Sequence, residues 1–255
     1  MLTAVQNAFV VVGSISISLL VVALLNRLWP ISHRKMINDV TGWQLGVLGT
    51  TYGVILGFML STVWSEFRNA ELNVSLEAAS VLNIYHISAA LPAPKNEIMR
   101  DLARQYGDVV VNEEWPAMRR SMEPHMGGAI IAKMWKELYE EKATQDGVSN
   151  IVDHLMTAMS NLSERRNQRE LQRRTELPGL LWVLLILGGV ATVFSSCLLG
   201  TDTKWLHYCQ VLAFTFVVSV ALAAIADLAK PFEGSVAVSP ASFEHVVTAM
   251  HGGTF

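Results

Sequence analysis

Residues 43–91 read WQLGVLGTTYGVILGFMLSTVWSEFRNAELNVSLEAASVLNIYHISAAL, a stretch that begins lipid-soluble and ends water-soluble. No charged residue lies between Asp39 and Glu66, which is enough chain to cross a hydrocarbon core of roughly 30 Å. Beyond Glu66 the helical pattern continues, because neither Pro nor Gly occurs between Gly57 and Pro92. The spacing predicts one continuous helix from Trp43 to Leu91, on the order of 70 Å long at ~1.5 Å per residue. Leu91-Pro92-Ala93-Pro94 ends it, since a residue before Pro is pushed out of the α region.

At about 100° per residue the two faces of this helix differ. Gly46, Gly49, Gly53 and Gly57 share one side, continued by Ala70, Val74, Ala78, Val81 and Tyr85. Small residues let a second helix approach closely, which is how helices pack in lipid. The opposite side carries Gln44, Leu48, Thr51, Ile55, Phe58, Thr62, Glu66, Asn69, Asn73 and Glu77. A stripe of this kind is suited to lining water, with Thr51, Ile55, Phe58, Thr62 and Glu66 along a pore. A plain packing helix is the other reading, because Thr in a span commonly bonds its own i−4 carbonyl.

Working outward, four windows lack charge: Met1 to Asn26, Val40 to Ser65, Leu177 to Thr201 and Trp205 to Ala226. Each exceeds the ~18 residues that mark a membrane-spanning helix. Five tryptophans, Trp29, Trp43, Trp64, Trp182 and Trp205, sit at or near their ends, as an interfacial belt requires. The predicted fold is therefore all-α and four-pass, with a helical cytoplasmic region between spans two and three. Its parts are a first transmembrane hairpin (1–64), the helical region (65–177), a second hairpin (178–229) and a tail with a short helix (230–255). The N-terminal apolar run has no Lys or Arg before Arg27 and is too long for a cleavable signal.

In the central region, Ile98, Leu102, Tyr106, Val109 and Val110 recur at helical spacing from about Lys95. Pro116 is expected to kink or break that helix. A loop over Glu123 to Gly128, a helix from Ala129 to about Lys142 and a turn at Gln145-Asp146-Gly147 follow. Ser149 is a candidate N-cap for a helix towards Glu176. Its end carries Arg165, Arg169 and Arg173 at i, i+4 and i+8. These read either as a solvated face that also anchors to anionic head groups or as positive charge at a pore mouth. Asn69, Asn73 and Glu77 form the other polar set expected at that mouth. Ser239-Pro240 looks like the start of a short terminal helix.

Basic residues near span ends number seven on the side of the central region (Arg68, Arg165, Arg166, Arg169, Arg173, Arg174, Lys230) and four on the other (Arg27, Arg34, Lys35, Lys204). The positive-inside rule places the central region and both termini in the cytoplasm. The first hairpin taken alone votes the other way.

Enzyme chemistry finds no support. There is no phosphate-cradling glycine loop, no HExxH and no CxxC. The seven histidines have no metal-site spacing, and no cofactor is expected. Glu113-Glu114 and Glu140-Glu141 read as surface charge. No basic face with interleaved aromatics suggests nucleic acid. Cys197 and Cys209 flank the last turn between spans and read as two unpaired thiols, a disulfide being conceivable.

The arrangement resembles the bestrophin-like family of four-pass membrane proteins. The residues that carry the resemblance are Tyr52-Gly53-Val54-Ile55-Leu56-Gly57-Phe58 with Trp64 and Glu77-Ala78, Tyr106 followed by Glu114-Trp115-Pro116, the Arg-rich approach to Leu177-Pro178-Gly179 with Trp182, and Pro231-Phe232-Glu233-Gly234. Through the more distant bestrophins the resemblance implies a pentameric ion channel of the plasma (bacterial inner) membrane, with the second span around the axis. Ile55 and Phe58 would then be neck residues flanked by Thr51 and Thr62, and the resemblance leans to an inorganic anion such as chloride, while Glu66 and Glu77 near the mouth favour a cation and the Arg165 stripe an anion. The neck departs from the bestrophin pattern in having one aromatic on that face. No acidic cluster has calcium-loop spacing. The rival expectation is a non-conducting scaffold or sensor that binds a partner through its cytoplasmic helices.

Overall fold

The computed structural model describes residues 4–142 and 149–252. Ten α-helices occur among them: α1 (Ala4–Leu28), α2 (Ile31–Met36), α3 (Asn38–Ser88), α4 (Lys95–Val109), α5 (Trp115–Arg119), α6 (Met126–Lys142), α7 (Ser149–Arg174), α8 (Gly179–Leu198), α9 (Lys204–Leu228) and α10 (Ala241–Gly252). A π-helical turn, Val110–Glu114, joins α4 to α5. The turn expected at Gln145-Asp146-Gly147 lies outside the described residues, as does the side chain of Ser149. Four helices are long and apolar enough to cross a membrane: α1, α3, α8 and α9. The long helix runs 51 residues and is offset a few residues N-terminal of its expected ends.

The chain divides into two compact units, 1–66 with 176–229, and 67–175 with 230–255. The two transmembrane hairpins thus make one unit, and the tail joins the central helical region rather than standing apart. In the first unit α1 packs on α8 and α9, which also pack on each other. One core cluster there joins Val22, Cys197 and Val211, and a second joins Val63, Leu185 and Ile225. Four hydroxyls in the spans are satisfied locally: Ser14, Thr50, Thr62 and Thr192 each donate to the carbonyl four residues back. Glycines pack closely at Gly188 and Gly189, where an added Cβ would lie 2.7–2.8 Å from the Tyr52 side chain. Tyr52 donates to the Leu185 carbonyl at 2.8 Å. Cys197 and Cys209 are free thiols.

In the second unit α4 packs on α6 and α10, and α6 on α7. Pro116 does not break the helix there. It sits in the first turn of α5, where a missing N–H costs nothing, and the chain leaves the helix after Arg119. The loop expected through Gly128 is shorter, because α6 begins at Met126. The tail folds onto Trp115, whose ring meets Phe232 edge-on at 5.9 Å and whose Nε1 donates to the Val238 carbonyl at 3.3 Å. Gly234 has φ 87°, a conformation side chains resist, and lets that strap turn. Ser239 Oγ accepts the Ala241 N–H at 3.2 Å at the start of α10.

Candidate functional site

Within the first unit, α3 leaves much of its surface uncovered by its own chain. Thr51, Thr62 and Glu66 are exposed, and Phe58 is 71% exposed. Ile55 is half-buried instead, against the cluster of Val63, Leu185 and Ile225. Thr62 donates to the Phe58 carbonyl at 2.9 Å, so its hydroxyl needs no further donor role. Of the four glycines, Gly49 alone approaches another helix, its added Cβ lying 4.0 Å from Thr192, while Gly46, Gly53 and Gly57 have nothing within 4 Å. Elsewhere in this unit a groove of about 380 Å³ between α1, α8 and α9 is lined by Val10, Ile17, Val190 and Phe194 among others.

The second unit holds the residues expected at the pore mouth, and several are buried. Asn69 is exposed. Asn73 is buried and donates to the Arg165 carbonyl at 2.9 Å. Glu77 and Arg169 are both fully buried and bonded to each other twice, Nε to Oε2 at 2.7 Å and Nη2 to Oε1 at 3.0 Å. These two therefore present no free charge to solvent. The expected acidic and basic stripes meet here as one ion pair. Arg165 is half-buried and donates to Gln168, and Arg173 is half-buried with its Nη2 3.6 Å from Glu123.

Around that pair stands a network the sequence reading missed. Tyr106 donates to Glu77 Oε1 at 2.5 Å. Glu114, expected on the surface, is fully buried: Arg166 and Arg169 donate to its Oε2 at 2.7 and 2.8 Å, and the Gly127 N–H to its Oε1 at 2.9 Å. Glu113 remains exposed. The π turn is the physical reason, because its extra residue turns Val110, Glu114, Trp115 and Met118 all inward. Glu114 also sits on the N-terminal turn of α6, where the helix end favours a carboxylate. Burial alone raises the Glu114 carboxyl, but the Arg166 hydrogen bond and the charges of Arg169 and Arg166 more than offset it, leaving its pKa lowered. Burial likewise opposes the Arg166 and Arg169 cations, and their carboxylate partners hold both above the ordinary value. Burial, then the Glu77 charge, keeps the Tyr106 phenol well above its usual range. Among the described residues no three His, Cys, Asp or Glu side chains converge as a metal site requires.

The bestrophin-like domain profile matches residues 12–243. The chain belongs to the bestrophin-like family. Solved structures resemble this bestrophin-like chain across nearly its whole length. A bacterial bestrophin homolog from Klebsiella pneumoniae superposes with TM-score 0.71 at 13% identity, over 94% of this chain and 97% of that one. A tyrosine-to-alanine variant of that homolog gives 0.69 at 15% identity, over 95% and 99%. A glycine-to-alanine variant of a membrane protein gives 0.73 at 13%, over 96% and 98%. Likeness at these identities establishes the fold alone. No curated protein matches the chain. The bestrophin-like chain is an integral membrane protein of channel-type fold.

Proposed function

We propose that this chain assembles as a homo-oligomer, pentameric by family analogy, around an axial pore lined by α3. The observation that carries the reading is the uncovered α3 face: Thr51, Phe58, Thr62 and Glu66 lie open on a helix long enough to span a bilayer. Gly46, Gly53 and Gly57 leave room on the same helix for a neighbouring copy. In this reading Phe58 forms the hydrophobic constriction, which gates by dewetting, and Glu66 places a carboxylate ring beyond it. The conducted species is an inorganic anion, as family analogy implies, with Glu66 acting as a brake on anion preference. The membrane is the bacterial inner membrane, with the central region and both termini in the cytoplasm.

Purified protein in planar bilayers tests this. Single-channel currents are expected, larger in Phe58→Ala because the constriction widens. Glu66→Gln should shift the reversal potential under a chloride gradient towards chloride. A silent bilayer at high protein density, with both variants also silent, overturns conduction and leaves the scaffold.

A further inference from the structure

The groove between α1, α8 and α9 holds about 380 Å³, within the roughly 300–1,000 Å³ usual for small-molecule sites. Ile17, Val190 and Phe194 on its rim are exposed, as lipid-facing residues are. None of the residues that line it is charged, and none belongs to α3. Two of them, Thr215 and Ser219, carry hydroxyls one turn apart near the middle of the 25-residue α9. Both are more than nine-tenths buried, Thr215 at 3% exposure and Ser219 at 6%.

The three helices around the groove treat their hydroxyls differently. On α1, Ser14, Ser16 and Ser18 each donate to a carbonyl three or four residues back, and on α8 Thr192, Ser195 and Ser196 do the same. On α9 neither hydroxyl does so. Thr215 Oγ1 is buried with no partner, and Ser219 forms no hydrogen bond with any described group. Bonding back to the helix is open to any Ser or Thr in a span, and a buried hydroxyl left without a partner costs free energy. Two such groups side by side against an open groove ask for a partner from outside the chain.

We propose that this groove binds a neutral, lipid-soluble aliphatic alcohol, its chain along Ile17, Val190 and Phe194 and its oxygen among the α9 hydroxyls. The uncharged lining selects a neutral ligand, since an ion at this depth would need a counter-charge. Lipid head groups are excluded by depth, because the middle of a span lies roughly 15 Å inside the hydrocarbon edge. A hydrocarbon tail could fill the groove but would satisfy neither hydroxyl, whereas an alcohol both donates and accepts. Ser219 meets the ligand directly, and Thr215 reaches it by turning about χ1, as a helical Thr has two rotamers open to it. No residue of α3 takes part, so the inference stands whether or not the protein conducts.

The test uses the purified full-length protein in lipid nanodiscs, irradiated with an octanol that carries a photoreactive diazirine, the adducts being placed by mass spectrometry. Adducts should concentrate on the groove residues of α1, α8 and α9 and saturate with probe concentration. Excess 1-octanol should suppress them several-fold, and octane, which has the same chain without the oxygen, should not. Thr215→Val combined with Ser219→Ala keeps the shape of the floor and should erase that difference between the two competitors. Val190→Trp, a change at a lipid-facing position, should fill the groove and abolish the labelling even if the double variant fails to fold. Adducts spread evenly over lipid-facing residues, no adducts in the groove, or equal suppression by octane and octanol in the unmutated protein would each overturn the proposal. So would a folded double variant that still prefers octanol, or a Val190→Trp protein that labels as before.

Discussion

Arg169 and Arg34 are both fully buried, yet their surroundings are opposite. Arg169 meets two carboxylates, Glu77 and Glu114, and stands 5.8 Å from the centre of the Trp115 ring. Arg34 meets a carbonyl and an amide. The helical unit, able to draw on two carboxylates and two arginines around one point, neutralises its charge from within. The transmembrane unit is poor in acid and satisfies several of its serine and threonine hydroxyls one helix turn back, as at Ser14, Thr50, Thr62 and Thr192. The contrast teaches that a buried arginine says little by itself. What decides its role is whether the chain also supplies the counter-charge.

The largest effect is expected from breaking that internal supply. Arg169→Met strands Glu77 in a dry site, and truncating one partner of a buried pair costs on the order of 3–5 kcal/mol. Tyr106 would still donate to Glu77, but one neutral hydrogen bond does not replace a bidentate guanidinium. The variant should lose the protease resistance of residues 67–175 while the spans stay helical by circular dichroism. Glu77→Leu added to Arg169→Met should recover a large part of the loss, because an apolar pair of similar volume removes the stranded charge. If the double variant is no better than the single, the network is held by something other than charge pairing.

A smaller, sharper test uses two neighbouring glycines. A Cβ on Gly127 would lie 2.6 Å from Arg166 Nη1 and 2.7 Å from Glu114 Oε1, whereas on Gly128 the nearest atoms are Arg166 nitrogens at 3.9 Å. Gly127→Ala should therefore destabilise by about 1–3 kcal/mol through overpacking. Gly128→Ala should be neutral or stabilising by up to about 1 kcal/mol, as alanine is the better helix former. Thermal unfolding of the two single variants side by side reads the difference, and equal midpoints would mean that the Arg166–Glu114 contact yields freely.

How much of this was legible beforehand differs between the units for a physical reason. The four spans follow from runs without charge, and the 51-residue α3 follows from the absence of Pro and Gly below Gly57. Charge inside the helical unit misleads, because Glu114, Arg166 and Arg169 are residue types that almost always face water. A signal was present. On α7 the buried positions Val152, Leu155, Met159 and Leu162 continue at steps of four and three to Arg166 and Arg169. Following that spacing rather than the i, i+4, i+8 row of Arg165, Arg169 and Arg173 selects the buried pair. The π turn at Val110–Glu114 has no comparable mark in the sequence, so the inward turn of Glu114 was beyond reach. On α3, Glu77 lies one step of three beyond Val74, on a helix surface buried more widely than the small-residue face suggested.

The smallest effect is one of pH. The Glu114 carboxyl has a folded pKa below its ordinary 4.5, because the Arg166 and Arg169 contacts outweigh the burial that would raise it. A depressed carboxylate contributes stability that is complete above the unfolded value and is lost as pH falls through the folded one. The unfolding midpoint should thus be flat from neutral pH down to the ordinary carboxylate range, then fall below it. The effect is modest because burial cancels part of the attraction. Glu114→Gln removes this titration, so its profile in that acid window should be flatter than that of the unmutated chain, even though its midpoint at neutral pH is lower. Parallel profiles would assign the acid sensitivity to other carboxylates. They would also show that the two arginines gain nothing from the ionised form of Glu114 that they do not gain from the neutral one.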